Sequence, residues 1–343
     1  SGEGNLRVEE NLGEGYVRLR VSEAERRQAK HDIQHVEDIV IEMLRNARDA
    51  GADKVYLATT KEDGVRTLVF LDNGSGVPQD MQERIFDARV TSKLESMKMD
   101  RWGVHGRGMA LFSIKQNTDE ARVVTSDVDL GSVFKVSVAT DRLGERADQS
   151  SWPQAVKDED GHYVCARGPH NIIRAACEFA LEELRACDVY LGSPSEIAAT
   201  LHAQASSRLD ASRLLFIDDE AELPVVDRLG LASDAEDFIR ICSGLGLEMS
   251  ERTAHRILAG QIKPVRGVTA RLLRERDSSS HASAPVDLAK DRRGLRIAKD
   301  DMAQFSRAVE RDFNDLASRY YLNLCGDPKI RVSRDRITVT FDL

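Results

Sequence analysis

Five apolar residues, Ile33, Val36, Val40, Met43 and Ala47, recur at helical spacing, and two apolar strand-like runs follow them closely. The stripe predicts a helix from about Glu23 to Ala50, ended by Gly51. Before it, YVRLRV (Tyr16 to Val21) alternates apolar and charged residues and reads as a strand. After it, KVYLAT and RTLVFLDNG read as two strands joined by a Glu-Asp-Gly turn. A helix with one apolar stripe, set between strands, must bury that stripe against a sheet. Glu42, Asn46 and Asp49 stand at i, i+4 and i+7 on a face offset from the stripe, so a helix backed by a sheet holds them toward a cleft.

The remaining chain divides by pattern. Polar, methionine-rich sequence runs from Gln79 to Arg101, then a glycine-rich turn opens a helix at about Met109, followed by the strands ARVVTS and SVFKVSV. Asp141 to Gly161 is polar and reads as a loop or excursion. NIIRAACEFALEELRACDVYLG reads as a strand or turn, a helix and a strand, with another helix from Pro194. Asp234 to Arg276 reads as wholly helical, DSSSHASAP (Asp277 to Pro285) as a linker, about 300–323 as a long amphipathic helix, and KIRVS and RITVTFDL as terminal strands. The expected division is 1–175, a mainly helical 176–276, and 277–343 with linker, helix and hairpin.

Composition excludes several classes. The 343 residues suffice for two or three domains, and 41% hydrophobic with only 5% aromatic residues describes an aliphatic core. A net charge of −9 argues against a nucleic-acid-binding surface spread over the whole chain, while leaving room for a local basic patch. The cysteines Cys165, Cys177, Cys187, Cys242 and Cys325 are scattered and never spaced as CxxC, which argues against a disulfide framework or a zinc site. No apolar run approaches the ~20 residues of a membrane span. The opening SGEGNLRVEE has no basic region followed by an apolar core. A cytoplasmic protein without membrane partners is expected.

Three segments carry chemistry. On the helix, an amide oxygen and a carboxylate one turn apart suit a magnesium ion and an attacking water, although a solvated helix face has the same composition. Leu71-Asp72-Asn73-Gly74-Ser75-Gly76-Val77-Pro78 follows an apolar strand; a carboxylate there can accept from the exocyclic amine of adenine, and glycines let backbone approach a flat ligand, although Asp-Asn-Gly is also ordinary turn chemistry. Gly103-Val-His-Gly106-Arg-Gly108 precedes a helix, where freed N–H groups and the helix dipole can receive phosphates.

Occurring in this order, the three resemble the gyrase, heat-shock chaperone, histidine kinase and MutL (GHKL) superfamily. IEMLRNARDAGADKV resembles its Glu-x-x-x-Asn-x-x-Asp-Ala box, LDNGSGVP its Asp-x-Gly-x-Gly box, and GVHGRGMA its later glycine box. The resemblance implies an α+β Bergerat fold, a two-layer α/β sandwich of mixed sheet covered by helices, then a mainly helical region and a C-terminal helix with two strands. It implies ATP and Mg2+ as cofactors. Glu42 would be the general base, Asn46 the magnesium ligand, and Asp49 a support of the pocket. Asp72 would bind adenine with Gly74 and Gly76 beside it, and Gly103, Gly106 and Gly108 would receive phosphates. A later Gly-Thr box has two candidates, Gly131-Ser132 and Gly168-Pro169, of which the second is favoured because NIIR follows it.

Within the superfamily, the Asp-Ala-Gly-Ala run resembles MutL-like and chaperone-like members, Thr91-Ser92-Lys93 resembles MutL and topoisomerase VI B subunits, and Glu42 as a water base favours hydrolysis over phosphotransfer to histidine. In that setting Gln79 to Arg101 would be an ATP lid, with Lys93 reaching a phosphate. ATP-dependent homodimerisation is implied as well. His31 and His35 fall on the same expected helix as the pocket residues, which argues against a histidine kinase. Farther on, two short helices around Gly244-Leu-Gly246 and Ser250 to Leu258 resemble a helix-turn-helix, and Arg252, Arg256, Lys263 and Arg266, with Arg271, Arg274 and Arg276, are candidates for duplex DNA contacts; a solvated basic face is the plainer alternative. The expected function is an ATPase switch in a DNA transaction. The alternatives are a chaperone-like ATPase and a slow nucleotide-sensing regulator.

Overall fold

A computed structural model describes residues 8–92, 98–100, 103–105, 108–209, 219–273, 305–306, 309, 313, 329–332 and 337–341. Two compact units emerge, residues 1–278 and 279–343. The first begins with β1 (Val8–Gly13) and β2 (Tyr16–Leu19), then α1 (Glu23–Asp32) and α2 (Val36–Asp49). The single helix expected from Glu23 to Ala50 is thus two helices. The Asp38 carboxylate accepts the backbone N–H groups of Gln34 and His35, both at 2.8 Å, and starts a new helix at that point.

Next come β3 (Lys54–Glu62) and β4 (Val65–Asp72), 3-10 turns at Gln79–Met81 and Arg84–Phe86, and β5 (Val90–Thr91), which pairs with β2. The first part of the expected lid is therefore anchored: Met81, Ile85, Phe86 and Val90 are all buried in the core. β6 (Lys98–Asp100) pairs with β7 (Gly103–His105), and α3 (Ala110–Asn117), β8 (Glu120–Ser126) and β9 (Ser132–Ala139) follow. The polar excursion after Asp141 contains a hairpin strand, β10 (Gln154–Lys157), paired with β11 (Tyr163–Arg167); ladder hydrogen bonds supply the order that composition hid. α4 (Ile172–Glu182), β12 (Asp188–Gly192) and α5 (Pro194–Arg208) come next. In place of continuous helix after Asp234 there are α6 (Ala235–Gly244) and α7 (Glu251–Leu258), with residues 268–273 also helical. Gly246 and Gly260, both in the left-handed region, end these helices.

The central sheet runs β12-β3-β4-β9-β8, with β12 and β3 parallel and the other pairs antiparallel. It is the mixed sheet of an α+β sandwich. Alternation along its strands sends side chains to two separate cores. Leu57, Phe70 and Phe134 pack with Val40 and Leu44 of α2 and Phe179 of α4. Tyr56, Leu71 and Val133 face the other way, against Ile197 of α5, Phe238 of α6 and Ile257 of α7. The boundary expected at residue 175 falls inside α4, and β12 beyond it completes the sheet. α5, α6 and α7 form a layer over the second sheet face.

In that layer the Tyr56 hydroxyl, its pKa pushed up by burial, donates to Gln204 Oε1 at 2.5 Å while its ring stacks on Tyr190 at 4.9 Å. Tyr56→Phe keeps the stack and removes one buried hydrogen bond, so it should cost about 1 kcal/mol in urea unfolding. No change in midpoint would mean that Gln204 regains a partner elsewhere at no net cost.

In the second unit β13 (Lys329–Val332) pairs antiparallel with β14 (Ile337–Thr340). The expected linker lies outside the described residues, as does most of the helix expected at about 300–323. Among the described residues no helix is long and apolar enough to cross a membrane.

Candidate functional site

One wall of the site is α2. Its apolar stripe packs on the sheet, and this turns Glu42, Asn46 and Asp49 into a cleft of about 650 Å³. The Glu42 carboxylate accepts from Arg45 Nη1 at 2.7 Å, and Arg45 is itself buried. Arg48 reaches Asp49 Oδ1 through Nε at 3.0 Å and Glu183 Oε1 through Nη1 at 3.1 Å, so α4 helps to fix the acidic end of α2. The Asn46 amide nitrogen is buried and has no hydrogen-bond partner among the described residues. An amide can rotate to exchange its two ends, so Asn46 fits a ligand or a hard cation that takes its oxygen.

The opposite wall is the end of β4. Asp72 pairs in register with Val55 and Ser132, and only 4% of its surface is exposed. Its Oδ1 accepts the Gly74 N–H at 2.8 Å. Asn73 pins the turn from behind: its Oδ1 accepts from the backbone of Asp53 and Lys54, and its Nδ2 donates to Asp53. Gly76 has φ +70°, and a Cβ there would lie 1.8 Å from the Asp127 carbonyl oxygen. Glycine is required at that point by conformation and by contact alike.

Between the walls, Met43, Ala47, Phe70, Val77, Ile85 and Phe134 make an apolar floor, and Gly108 with Met109 and Ala110 brings in the start of α3. A few polar groups around apolar walls, in a space of this size, are what a small-molecule site requires. The cleft therefore gathers Glu42, Asn46, Asp49, Asp72, Gly76 and Gly108. Gly74 stands behind Asp72, against Ala50. Gly103 lies in β7, while Lys93 and Gly106 fall outside the described residues.

Other lining residues were not anticipated. Tyr16 enters from β2, its hydroxyl pKa raised by burial, and Gln28 and Asp32 enter from α1. Ser132 corrects the choice of the later glycine box. Gly131-Ser132 opens β9 directly against Asp72, whereas Gly168-Pro169 sits beside Pro153, and NIIR begins α4 rather than a strand. The usable signal was the apolar strand directly after Gly131. His31 and His35, expected on one helix with Glu42, belong to α1 and to the N-cap of α2 respectively.

The sequence-predicted basic residues sit elsewhere. On α7, Ala254 and Ile257 are buried, which leaves Arg252 and Arg256 exposed; Lys263 and Arg266 are exposed just beyond. Ser250 caps α7 by accepting from Thr253 N. Because α7 covers the second sheet face, this basic surface and the cleft lie on opposite sides of the sheet. Arg271 instead stacks on Trp152, 3.9 Å from its ring centroid; Arg274 and Arg276 fall outside the described residues.

Comparison with known proteins fits this geometry. Residues 33–149 match the family of histidine kinase-, DNA gyrase B- and HSP90-like ATPases. The chain is 34% identical over 98 residues to the DNA mismatch repair protein MutL of Thermodesulfovibrio yellowstonii, covering 27% of this chain and 18% of that one. It is 31% identical over 115 residues to MutL of Pediococcus pentosaceus (33% and 17%), and 28% identical over 136 residues to MutL of Staphylococcus aureus (37% and 20%). The matches span no more than 20% of the length of these relatives. Residues 33–149 thus carry an ATPase domain of the GHKL type, and the chain is similar over part of its length to MutL.

Proposed function

We propose that the chain binds ATP with magnesium in this cleft, hydrolyses it, and uses the cycle as a switch in a DNA transaction. The observation that carries the reading is the convergence of Glu42, Asn46, Asp49, Asp72, Gly76 and Gly108 on one cleft from three separate stretches of sequence. Asp72 accepts from the adenine amine, and Gly76 keeps the space beside the base clear. The backbone at Gly108 and the start of α3 receives phosphates. Asn46 holds magnesium, which when bound offsets the charge of the phosphates. Glu42 takes a proton from the attacking water, and Arg45 holds its carboxylate in position. Asp49, tied to Arg48, supports the wall between them.

On the motif resemblance, closure of the segment that carries Lys93 and pairing of two subunits would couple the nucleotide to a change of state. Duplex DNA would meet Arg252, Arg256, Lys263 and Arg266. All four cations are exposed in an otherwise acidic chain, Arg252 and Arg256 border one surface hollow, and phosphate contacts need exposed cations of this kind.

Steady-state ATP hydrolysis with magnesium, with and without duplex DNA, tests the reading. Wild type should turn over, and DNA should change the rate. Arg252→Glu with Arg256→Glu should leave basal turnover intact, abolish the DNA effect, and flatten the salt dependence of DNA binding by about one unit of slope for each phosphate no longer neutralised. Turnover indifferent to DNA would leave the chaperone-like reading. Tight ATP binding without turnover would leave the nucleotide-sensing regulator.

A further inference from the structure

The base end of the cleft is braced from the far side of the sheet. The loop after Asp72 rests on the turn between β8 and β9: Asp129 N donates to Ser75 O at 2.8 Å, and Val77 N donates to Ser126 Oγ at 2.8 Å. Ser126 Oγ in turn donates to Gly131 O at 2.8 Å. That turn is gripped by residues 223–229, which belong to the helical layer. Val225 N donates to Leu130 O at 2.9 Å, and a Cβ on Gly131 would lie 3.1 Å from Val225 Cγ2. Arg228, buried and 7% exposed, donates from Nη1 to Thr125 Oγ1 at 3.0 Å and from Nε to Leu223 O at 3.1 Å.

A bulge in β8 makes this bracing possible. Val123 pairs with Phe134 but Thr125 pairs with Val133, so Val124 is an extra residue. Without it, Thr125 would face the nucleotide side of the sheet and Ser126 the helical side. With it, Thr125 shares the face of Val133, where Arg228 waits, and Ser126 shares the face of Ser132 and Asp72. Two consecutive side chains thus hold the two sides together at the base end of the cleft. None of Thr125, Ser126, Val225 and Arg228 lines the cleft itself.

The geometry points to Thr125, Val225 and Arg228 as positioning residues for nucleotide recognition: they set the turn that places the Asp72–Val77 loop, and through it the affinity for the adenosine end of the ligand. This rests on the reading of the cleft as an ATP site. An intact strap holds the loop ready for the base, and a loosened strap makes binding meet the cost of ordering the loop. The phosphate end, built from α2 and the start of α3, does not depend on the strap. The helical layer that carries Arg252 and Arg256 would therefore reach the nucleotide through its affinity rather than through the hydrolytic step.

Calorimetric titration with ATP and with ADP, joined to steady-state kinetics, tests this on the full chain. The set is wild type, Asp72→Asn, Arg228→Met, Arg228→Lys and Thr125→Val. Thr125→Val removes only the hydroxyl that receives Arg228 at nearly constant volume, so it keeps the test alive should Arg228→Met fail to fold. Expected are losses of about 5- to 30-fold in affinity for ATP and ADP alike, the range of a coupling of 1–2 kcal/mol. KM should rise with kcat unchanged, and Arg228→Lys should recover part of the loss. A merely structural role would lower the melting temperature and leave the KM of the folded protein unmoved. Folded Arg228→Met or Thr125→Val with wild-type affinity for both nucleotides, or with a loss confined to kcat, overturns the inference. Absence of ATP binding in wild type would overturn the ATP reading itself and this inference with it. Binding that Asp72→Asn abolishes but Thr125→Val and Arg228→Met leave intact would overturn the inference alone.

Discussion

Glu42→Gln should lower steady-state ATP turnover by about 10²- to 10⁴-fold, the range that a positioned general base contributes. Affinity for ATP should change little. Glutamine keeps the volume and the acceptor that Arg45 Nη1 meets at 2.7 Å, so it removes the proton-accepting charge without emptying the site. Alanine at this position would also strip a partner from Arg45, which is only 3% exposed, and would confound loss of catalysis with loss of stability. The informative pair is therefore turnover and ATP affinity in the same preparation. A Glu42→Gln protein that hydrolyses ATP at the wild-type rate would remove Glu42 from the catalytic role. One that neither binds nor hydrolyses would show that the carboxylate is needed for binding.

A second large effect is expected at Gly76. Gly76→Ala places a Cβ 1.8 Å from the Asp127 carbonyl oxygen and 3.2 Å from that of Gly131, in a turn fixed by the bonds of Ser75, Val77 and Ser126. Backbone obstructs it, so no side-chain rotation relieves the contact. The left-handed conformation costs about 1–2 kcal/mol for a residue with a Cβ, and overpacking adds about 1–3 kcal/mol. A loss near 3 kcal/mol corresponds to a fall of roughly 6–12 °C in melting temperature for a unit of this size. ATP affinity should fall with it, because the loop can escape only by moving toward the base. Gly64→Ala is the control: it has φ +78° with open space around it, so only the conformational penalty applies. Equal melting temperatures for the two variants would mean that the close approach at Gly76 relaxes at little cost.

Both predictions concern residues whose place in the cleft was legible in the sequence, and the reason is local. Glu42, Asn46 and Asp49 share a helix face, and Asp72 to Gly76 follow a strand directly, so backbone periodicity alone assigns their direction once the apolar stripe is buried. The same logic placed the strands of the central sheet and the start of α5, where Pro194 follows the capping Ser193. Legibility failed where local pattern and tertiary contact disagree. The break between α1 and α2 depends on one carboxylate turning back onto two N–H groups. The residues after Pro78 look like polar loop, yet they bury Met81, Ile85 and Phe86 because the first core has room for them.

The sequence by itself determined the order of the central strands, the α+β class and the likeness to the ATPase superfamily, because periodicity and short spaced motifs act through a few neighbouring residues. Only the tertiary structure decided that Tyr16 and Ser132 join the cleft. It also decided that α5, α6 and α7 cover the second face of the same sheet, and that Arg228 reaches Thr125 across 103 positions. The bulge at Val124 is the clearest case. One extra residue reverses which side of the sheet each later side chain faces, and only the pairing of β8 with β9 reveals it.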